Sequence, residues 1–266
     1  NWQTTADTYR SAYDAVLAGE QACTTDLLKF YATHPDEIYN EPLQRERVRW
    51  LASKATGRIL EIGPANGYVV QFCHGHEAVD IYRERLDVAR ALRPGIAFNY
   101  GNVVCGLPYG DQSFDTVMSP EIFEHVEWEM AVTALKECMR VGKRVLITIP
   151  NADKPNYNPD LVHNPEHRWL VTRQLVDAWL AAAGAVDYEM DCSRDLDFYL
   201  LDINSTSKTP SRRVTERAAA LPHFEVTPGP QLTVAFDASS LVEETLLQTE
   251  SARYFVELLN HLRDAR

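Results

Sequence analysis

No run of about 18 consecutive apolar residues occurs in this chain of 266 residues, so the sequence offers no membrane-spanning helix. Cysteine is sparse as well. Cys23, Cys73, Cys105, Cys138 and Cys192 are odd in number, widely spaced and without a CxxC pair. That excludes a disulfide framework and reads as reduced thiols. The first residues, Asn1 to Asp7, lack the basic and apolar blocks of a signal peptide, and a cytoplasmic location is expected. Positive charge is also short. There are 26 Lys and Arg against 38 Asp and Glu, a formal net charge of −12. A polyanionic ligand needs a basic footprint, so no nucleic-acid partner is expected. The local group Arg212, Arg213 and Arg217 reads as a solvated loop. What is present, 45% hydrophobic and 24% charged residues, suits one large globular domain or a domain with an appendage.

Strand-like and helix-like segments alternate from about residue 57 to about residue 203. Apolar, β-branched runs fall at Arg58–Ile62, Ala78–Ile81, Ile96–Tyr100, Phe114–Ser119 and Arg144–Ile149. Helical patterns lie between them near Tyr68–Cys73, Arg83–Leu92, Trp128–Arg140 and Thr172–Ala183. Gly142 is placed for a left-handed C-cap and Thr172 for an N-cap. Such alternation predicts right-handed βαβ units and a mostly parallel sheet with helices on both faces. Val186–Met190 and Leu196–Ile203 have no helix between them and predict a closing hairpin, with one strand antiparallel. Thr5–Leu17, Thr25–Tyr31 and Glu41–Ser53 read as helices before this core. Residues 204–230 are rich in Ser, Thr, Pro and Arg and read as a loop. A further strand at Gln231–Phe236 and a long amphipathic helix at Leu241–Leu262 are expected after it, the helix packing on the domain or forming a dimer face.

The stretch from Gly57 to Ile81 carries the chemistry. Ile59–Ile62 is a short apolar run holding one acid, Glu61, and it breaks into a turn bracketed by Gly63 and Gly67. Asp80 follows 13 residues later at the end of the next strand-like run. A strand, a glycine turn and an acid on the next strand make a nucleoside-binding crevice. The glycines let backbone approach a ligand, and a carboxylate can accept from both hydroxyls of a ribose. The spacing is GxxxG rather than GxGxxG, and Glu61 would repel a pyrophosphate while suiting a ligand with positive charge. That favours S-adenosylmethionine over a nicotinamide dinucleotide.

Here the chain resembles the class I S-adenosylmethionine-dependent methyltransferases. Glu61-Ile-Gly-Pro-Ala-Asn-Gly67 is similar to the family's first motif, Asp80 to its ribose-binding acid, and Gly101-Asn102-Val103 to the stretch that contacts adenine. The family commonly has Asp where Asn102 stands; an amide both donates to and accepts from an adenine edge. Leu107-Pro-Tyr-Gly-Asp-Gln-Ser-Phe-Asp115 and Glu121-Ile-Phe-Glu124-His125-Val126 resemble motifs of the subgroup containing quinone-biosynthesis, sugar and natural-product enzymes. The resemblance covers residues 57 to about 170. It implies a Rossmann-like seven-stranded sheet whose last strand is antiparallel, S-adenosyl-L-methionine as cofactor, and methyl transfer to an oxygen or nitrogen of a small molecule. It also implies Glu61, Gly63, Gly67, Asp80, Asn102, Val103 and Pro120 as cofactor-binding residues. The organisation expected is a helical lid over 1–56, the cofactor-binding core over 57–203, and an extension over 204–266.

Methyl transfer needs a nucleophile held near the methyl group and, for a hydroxyl, a base. His125 is the first candidate: beside Glu121 and Glu124, a raised pKa is expected for it. The polar segment Asn151–Trp169 follows the fifth strand and is expected to cover the substrate, with His167 the next candidate base and His163 a substrate contact. Tyr39, ahead of the helix that leads into the first strand, is the expected pocket aromatic. His163 and His167 are four apart, as are His ligands on zinc helices, but neither sits in a convincing helix and no metal site is expected. Two other readings stay open: a cofactor-binding scaffold of the same fold without chemistry, and a nicotinamide-linked oxidoreductase, weakened by the absent GxGxxG.

Overall fold

A computed structural model describes residues 32–33, 36, 42–154, 166–193 and 196–216. All lie in the first of two compact units, Asn1–Ala220 and Leu221–Arg266. The expected helices before residue 31, the strand at 231–236, the helix at 241–262 and the residues Tyr39 and His163 lie outside the described residues.

Helix α1 (Pro42–Lys54) leads into strand β1 (Ile59–Ile62), and the rest alternates: α2 (Tyr68–Phe72), β2 (Glu77–Asp80), α3 (Arg83–Leu92), β3 (Ala97–Tyr100), β4 (Phe114–Pro120), α4 (Trp128–Val141), β5 (Gly142–Pro150), α5 (Arg173–Ala183), β6 (Asp187–Asp191), β7 (Phe198–Asn204) and β8 (Ser211–Thr215). The described strands form one sheet in the order β3-β2-β1-β4-β5-β7-β6-β8. Strands β1 to β5 are mutually parallel, and β7 is antiparallel to both β5 and β6. The centre reads as continuous apolar sequence because β1, β4 and β5 are covered on both faces.

Side-chain alternation sorts the core into two layers. Leu60, Val117, Val145 and Ile147 pack with α4 and α5, through Ala134, Leu135, Cys138, Val176, Trp179 and Leu180. Ile59, Met118 and Leu146 face the other way, against Val48 and Leu51 of α1 and Val69 of α2. Val70, Ala78, Leu86 and Phe98 join α2 and α3 to β2 and β3. Thr172 caps α5, accepting from the Leu175 N–H at 3.4 Å, and Gly184 ends that helix at φ +80°.

Two expectations are corrected. Gly142 is not a left-handed cap: at φ −108° and ψ 143° it is extended and begins β5, because α4 passes directly into the strand. Among the described residues the sheet has eight strands rather than seven, since residues 211–215, expected as loop, pair in parallel with β6. All five residues of β8 are exposed, so no apolar periodicity announces it. Among the described residues, no helix is long and apolar enough to cross a membrane.

Candidate functional site

Strand order reverses between β1 and β4, and the crevice of an open parallel sheet lies at that switch, outside the carboxyl ends of the strands. The turn after β1 closes with a hydrogen bond from the Gly67 N–H to the Pro64 carbonyl at 2.7 Å. Gly63 and Gly67 adopt φ +69° and +78°, and a Cβ would collide with the Ile122 side chain at Gly63 and lie 2.6 Å from the Phe98 ring at Gly67. Both positions therefore need glycine for conformation and for space.

Two acids beside this turn have unusual protonation. Glu61 is 1% exposed and its Oε2 has no hydrogen-bond partner. Burial pushes its carboxyl up to about 8, against the opposing pull of the Arg47 guanidinium. Asp80 accepts the Tyr82 N–H on Oδ1 at 2.9 Å, while its buried Oδ2 is unpartnered. Burial raises its pKa too, partly offset by that bond. An orphaned, inward-facing carboxylate oxygen at the end of β2 is what a ribose hydroxyl would satisfy. Asn102 accepts the Val104 N–H on Oδ1 at 2.9 Å, which shapes its loop and leaves the amide NH2. The Val103 side chain belongs to the core, and Pro120 ends β4 as a buried residue.

Residues 107–115 hold backbone rather than ligand. The Leu107 N–H donates to Glu137 at 2.6 Å, Arg140 donates to the Leu107 and Tyr109 carbonyls, and the Tyr109 hydroxyl donates to Glu77 at 2.6 Å. Phe114 is fully buried, and Asp115 accepts the Arg58 N–H at 2.8 Å. These partners lie at the amino ends of β1 and β2 and the carboxyl end of α4, so the loop braces the side of the sheet opposite the crevice.

Residues 60–145 match the methyltransferase-domain family model. That stretch, from β1 into β5, is a methyltransferase domain by this match. The buried acids with orphaned oxygens around a glycine turn would fit a cationic nucleoside such as S-adenosylmethionine. Among solved structures, a candidate O-methyltransferase from Nostoc punctiforme is 16% identical at TM-score 0.52, with 74% of this chain and 68% of that one covered. PigF with S-adenosylhomocysteine is 13% identical at TM-score 0.53, covering 76% and 69%. A chain from the complex of the Haloferax volcanii Trm112 methyltransferase activator with a candidate methyltransferase is 16% identical at TM-score 0.50, covering 67% and 97%. At these identities the likeness concerns the fold. No curated protein matches the chain.

Beyond β4 the methyltransferase chain turns sharply. Glu121 takes φ +56°, and a one-turn 3-10 helix, Phe123–His125, follows. The segment returning from the fifth strand docks on that turn. The Arg168 N–H donates to the Glu124 carbonyl at 2.7 Å, and the Trp169 indole N–H donates to the Phe123 carbonyl at 3.0 Å. Trp169 also packs against Trp128 and Trp179. These anchors bring His167 edge-on to His125, with ring centroids 4.9 Å apart. The two histidines, 42 positions apart in sequence, thus meet where the spacing alone placed them only on two separate loops.

The His125 pKa moves opposite to the sequence expectation. Burial lowers it, outweighing the Glu166 carboxylate, so its imidazole is neutral at neutral pH. Glu124 is fully buried beside Glu121, and burial first, then the like charge of Glu121, raises it well above the carboxylate range. Glu121 is pushed up to about 7 by burial, against Arg47. The pair resists double ionisation, because a second negative charge would be buried beside the first.

Arg47 was not foreseen from the sequence. It is 6% exposed on α1, over the Phe198 ring at 5.5 Å, and its charge acts on Glu61, Glu121 and Glu124. A signal existed: Arg47 shares a helix face with buried Leu51, four residues on, where an apolar residue belongs.

Proposed function

We propose that this methyltransferase acts on an oxygen or nitrogen of a small molecule of the sugar or natural-product kind. The observation that carries the reading is the meeting of His125 and His167 in the segments following the central strands, beside the glycine turn. When bound, S-adenosylmethionine supplies a sulfonium-activated methyl carbon to the acceptor's lone pair. In this reading Gly63 and Gly67 admit the methionine portion, and Glu61, held near neutrality by burial, ionises against its positive charge. Asp80 clamps the ribose through its unpartnered oxygen, and Asn102 presents its amide to the adenine edge between Val103 and Pro120. His125 takes the proton of a hydroxyl or ammonium acceptor. Its neutral imidazole has a free lone pair, and 34% side-chain exposure gives the proton a route to water. His167 is the second base, and Tyr39 and His163 contact the acceptor.

The net charge of −12 supports a small-molecule acceptor over a nucleic acid. The division into a lid over 1–56, a core over 57–203 and an extension over 204–266, a homodimer through 241–262, and a cytoplasmic location belong to the same proposal and rest on the sequence pattern.

Calorimetry with S-adenosylhomocysteine should give micromolar, one-to-one binding. Radiolabel transfer from S-adenosylmethionine to a panel of hydroxylated and aminated metabolites should then fall about 10²–10⁴-fold in His125→Ala, the range for loss of a general base. A wild-type chain that does not bind S-adenosylhomocysteine would sink the reading.

A further inference from the structure

The Glu124, His125 and His167 cluster contains more than a base needs. One donor atom from each lies within 4.8 Å of the others. Glu124 Oε1 is 4.0 Å from His125 Nε2, and neither Glu124 oxygen meets a hydrogen-bond donor although the side chain is 1% exposed. Buried carboxyl oxygens that meet no donor leave their lone pairs open to a cation. Arg47 acts on it electrostatically without donating to it.

The His125 ring is oriented for ligation. Its Nε2 faces Glu124, while Nδ1 faces the Glu166 carboxylate at 3.9 Å. That carboxylate stands beyond hydrogen-bond reach but on the nitrogen remote from the site, the side from which an outer-shell partner orients a ligating histidine. His167 is brought in by the Arg168 and Trp169 hydrogen bonds, so it does not depend on its own loop to reach the site.

We propose that Glu124, His125 and His167 bind one first-row divalent cation. Two imidazoles and one carboxylate with positions left open match catalytic rather than structural metal sites. Donors around an ion bound at about 2.0–2.2 Å sit at most roughly 4.4 Å apart, so the side chains close on it with shifts under about 1 Å. The adjacent Glu121 carboxyl offers a further oxygen. With the ion bound, His125 and His167 are ligands and no longer bases, and the open positions take the acceptor's hydroxyl oxygen, whose proton the ion would acidify; this last step rests on the methyl-transfer reading, whereas the metal site does not.

The test uses the full chain, freed of metal by chelator dialysis and titrated calorimetrically with Zn²⁺ and with Mn²⁺. One ion per chain is expected for at least one of them. Glu124→Gln and His167→Asn should each weaken binding by at least the ~10–100-fold that loss of an outer-shell partner costs. His74→Asn, an exposed histidine at φ +55° where Asn is well tolerated, should bind as wild type does. Thermal melts show whether each variant is folded, and His167→Asn, at a partly exposed position, serves should Glu124→Gln fail to fold. Wild-type stoichiometry far below one ion, or unchanged affinity in folded variants, overturns the proposal. S-adenosylhomocysteine titrated into the same metal-free samples reports on the methyltransferase reading separately, so either can fail alone.

Discussion

Replacing Glu61 by Gln should stabilise the methyltransferase at alkaline pH and barely affect it at acid pH. Glu61 is 1% exposed, and burial raises its carboxyl from 4.5 to about 8. Below about pH 4.5 both folded and unfolded states hold the proton and nothing is lost. Between 4.5 and 8 the unfolded chain releases it and the folded chain does not, so stability falls as pH rises through this window. Above about 8 the loss is complete. At about 1.36 kcal/mol per pH unit, the folded state loses up to about 4 kcal/mol between roughly pH 5 and pH 8.5. Other buried acids titrate in the same range, so the quantity that isolates Glu61 is the difference between variant and wild type. Urea unfolding at both pH values measures it. The Glu61→Gln advantage should grow with pH by about 2–4 kcal/mol, the lower figure allowing for relaxation around the charge. An advantage identical at both values would refute the burial argument. Bound S-adenosylhomocysteine, whose ammonium lets Glu61 ionise, should flatten the wild-type pH dependence.

Gly63→Val forces a β-branched residue to φ +69° and into Ile122; it should cost about 1–2 kcal/mol in unfolding experiments and weaken S-adenosylhomocysteine binding at least tenfold by calorimetry. Asp80→Ala removes the orphaned oxygen and should weaken the same binding by about 1.5–3 kcal/mol, without the loss of stability expected from breaking a satisfied bond. Asp202→Ala strips the two-pronged partner of Arg144, bound at 2.6 and 2.5 Å between β5 and β7; about 2–4 kcal/mol should be lost, read from urea midpoints, with cofactor affinity unchanged.

The order of strands and helices and the position of the glycine turn were written in local pattern: apolar runs at period two or unbroken, helical faces between them, Thr172 as a cap, and the GxxxG at 63–67. Those features depend on residues near one another in the chain, which is why they are legible there. Where local rules misled, tertiary context decided. Gly142 begins a strand because α4 runs into the sheet, and β8 forms because β6 leaves an edge to which exposed, polar residues can still pair through backbone.

The chemical site divides the same way. Sequence named Glu61, Asp80, His125 and His167 singly, because residue type and motif position suffice for that. It did not show that a carboxylate on β1 would be desolvated, that His125 would be pushed toward neutrality, or that His167 would dock beside it. Nor did it show Arg47 set among Glu61, Glu121 and Glu124. Protonation depends on how much water and which charges surround a group, and those are set by residues distant in the chain. The sequence by itself determined that a glycine turn follows the first strand and an acid ends the second; only the tertiary structure decided which acids lose their water and which histidines meet.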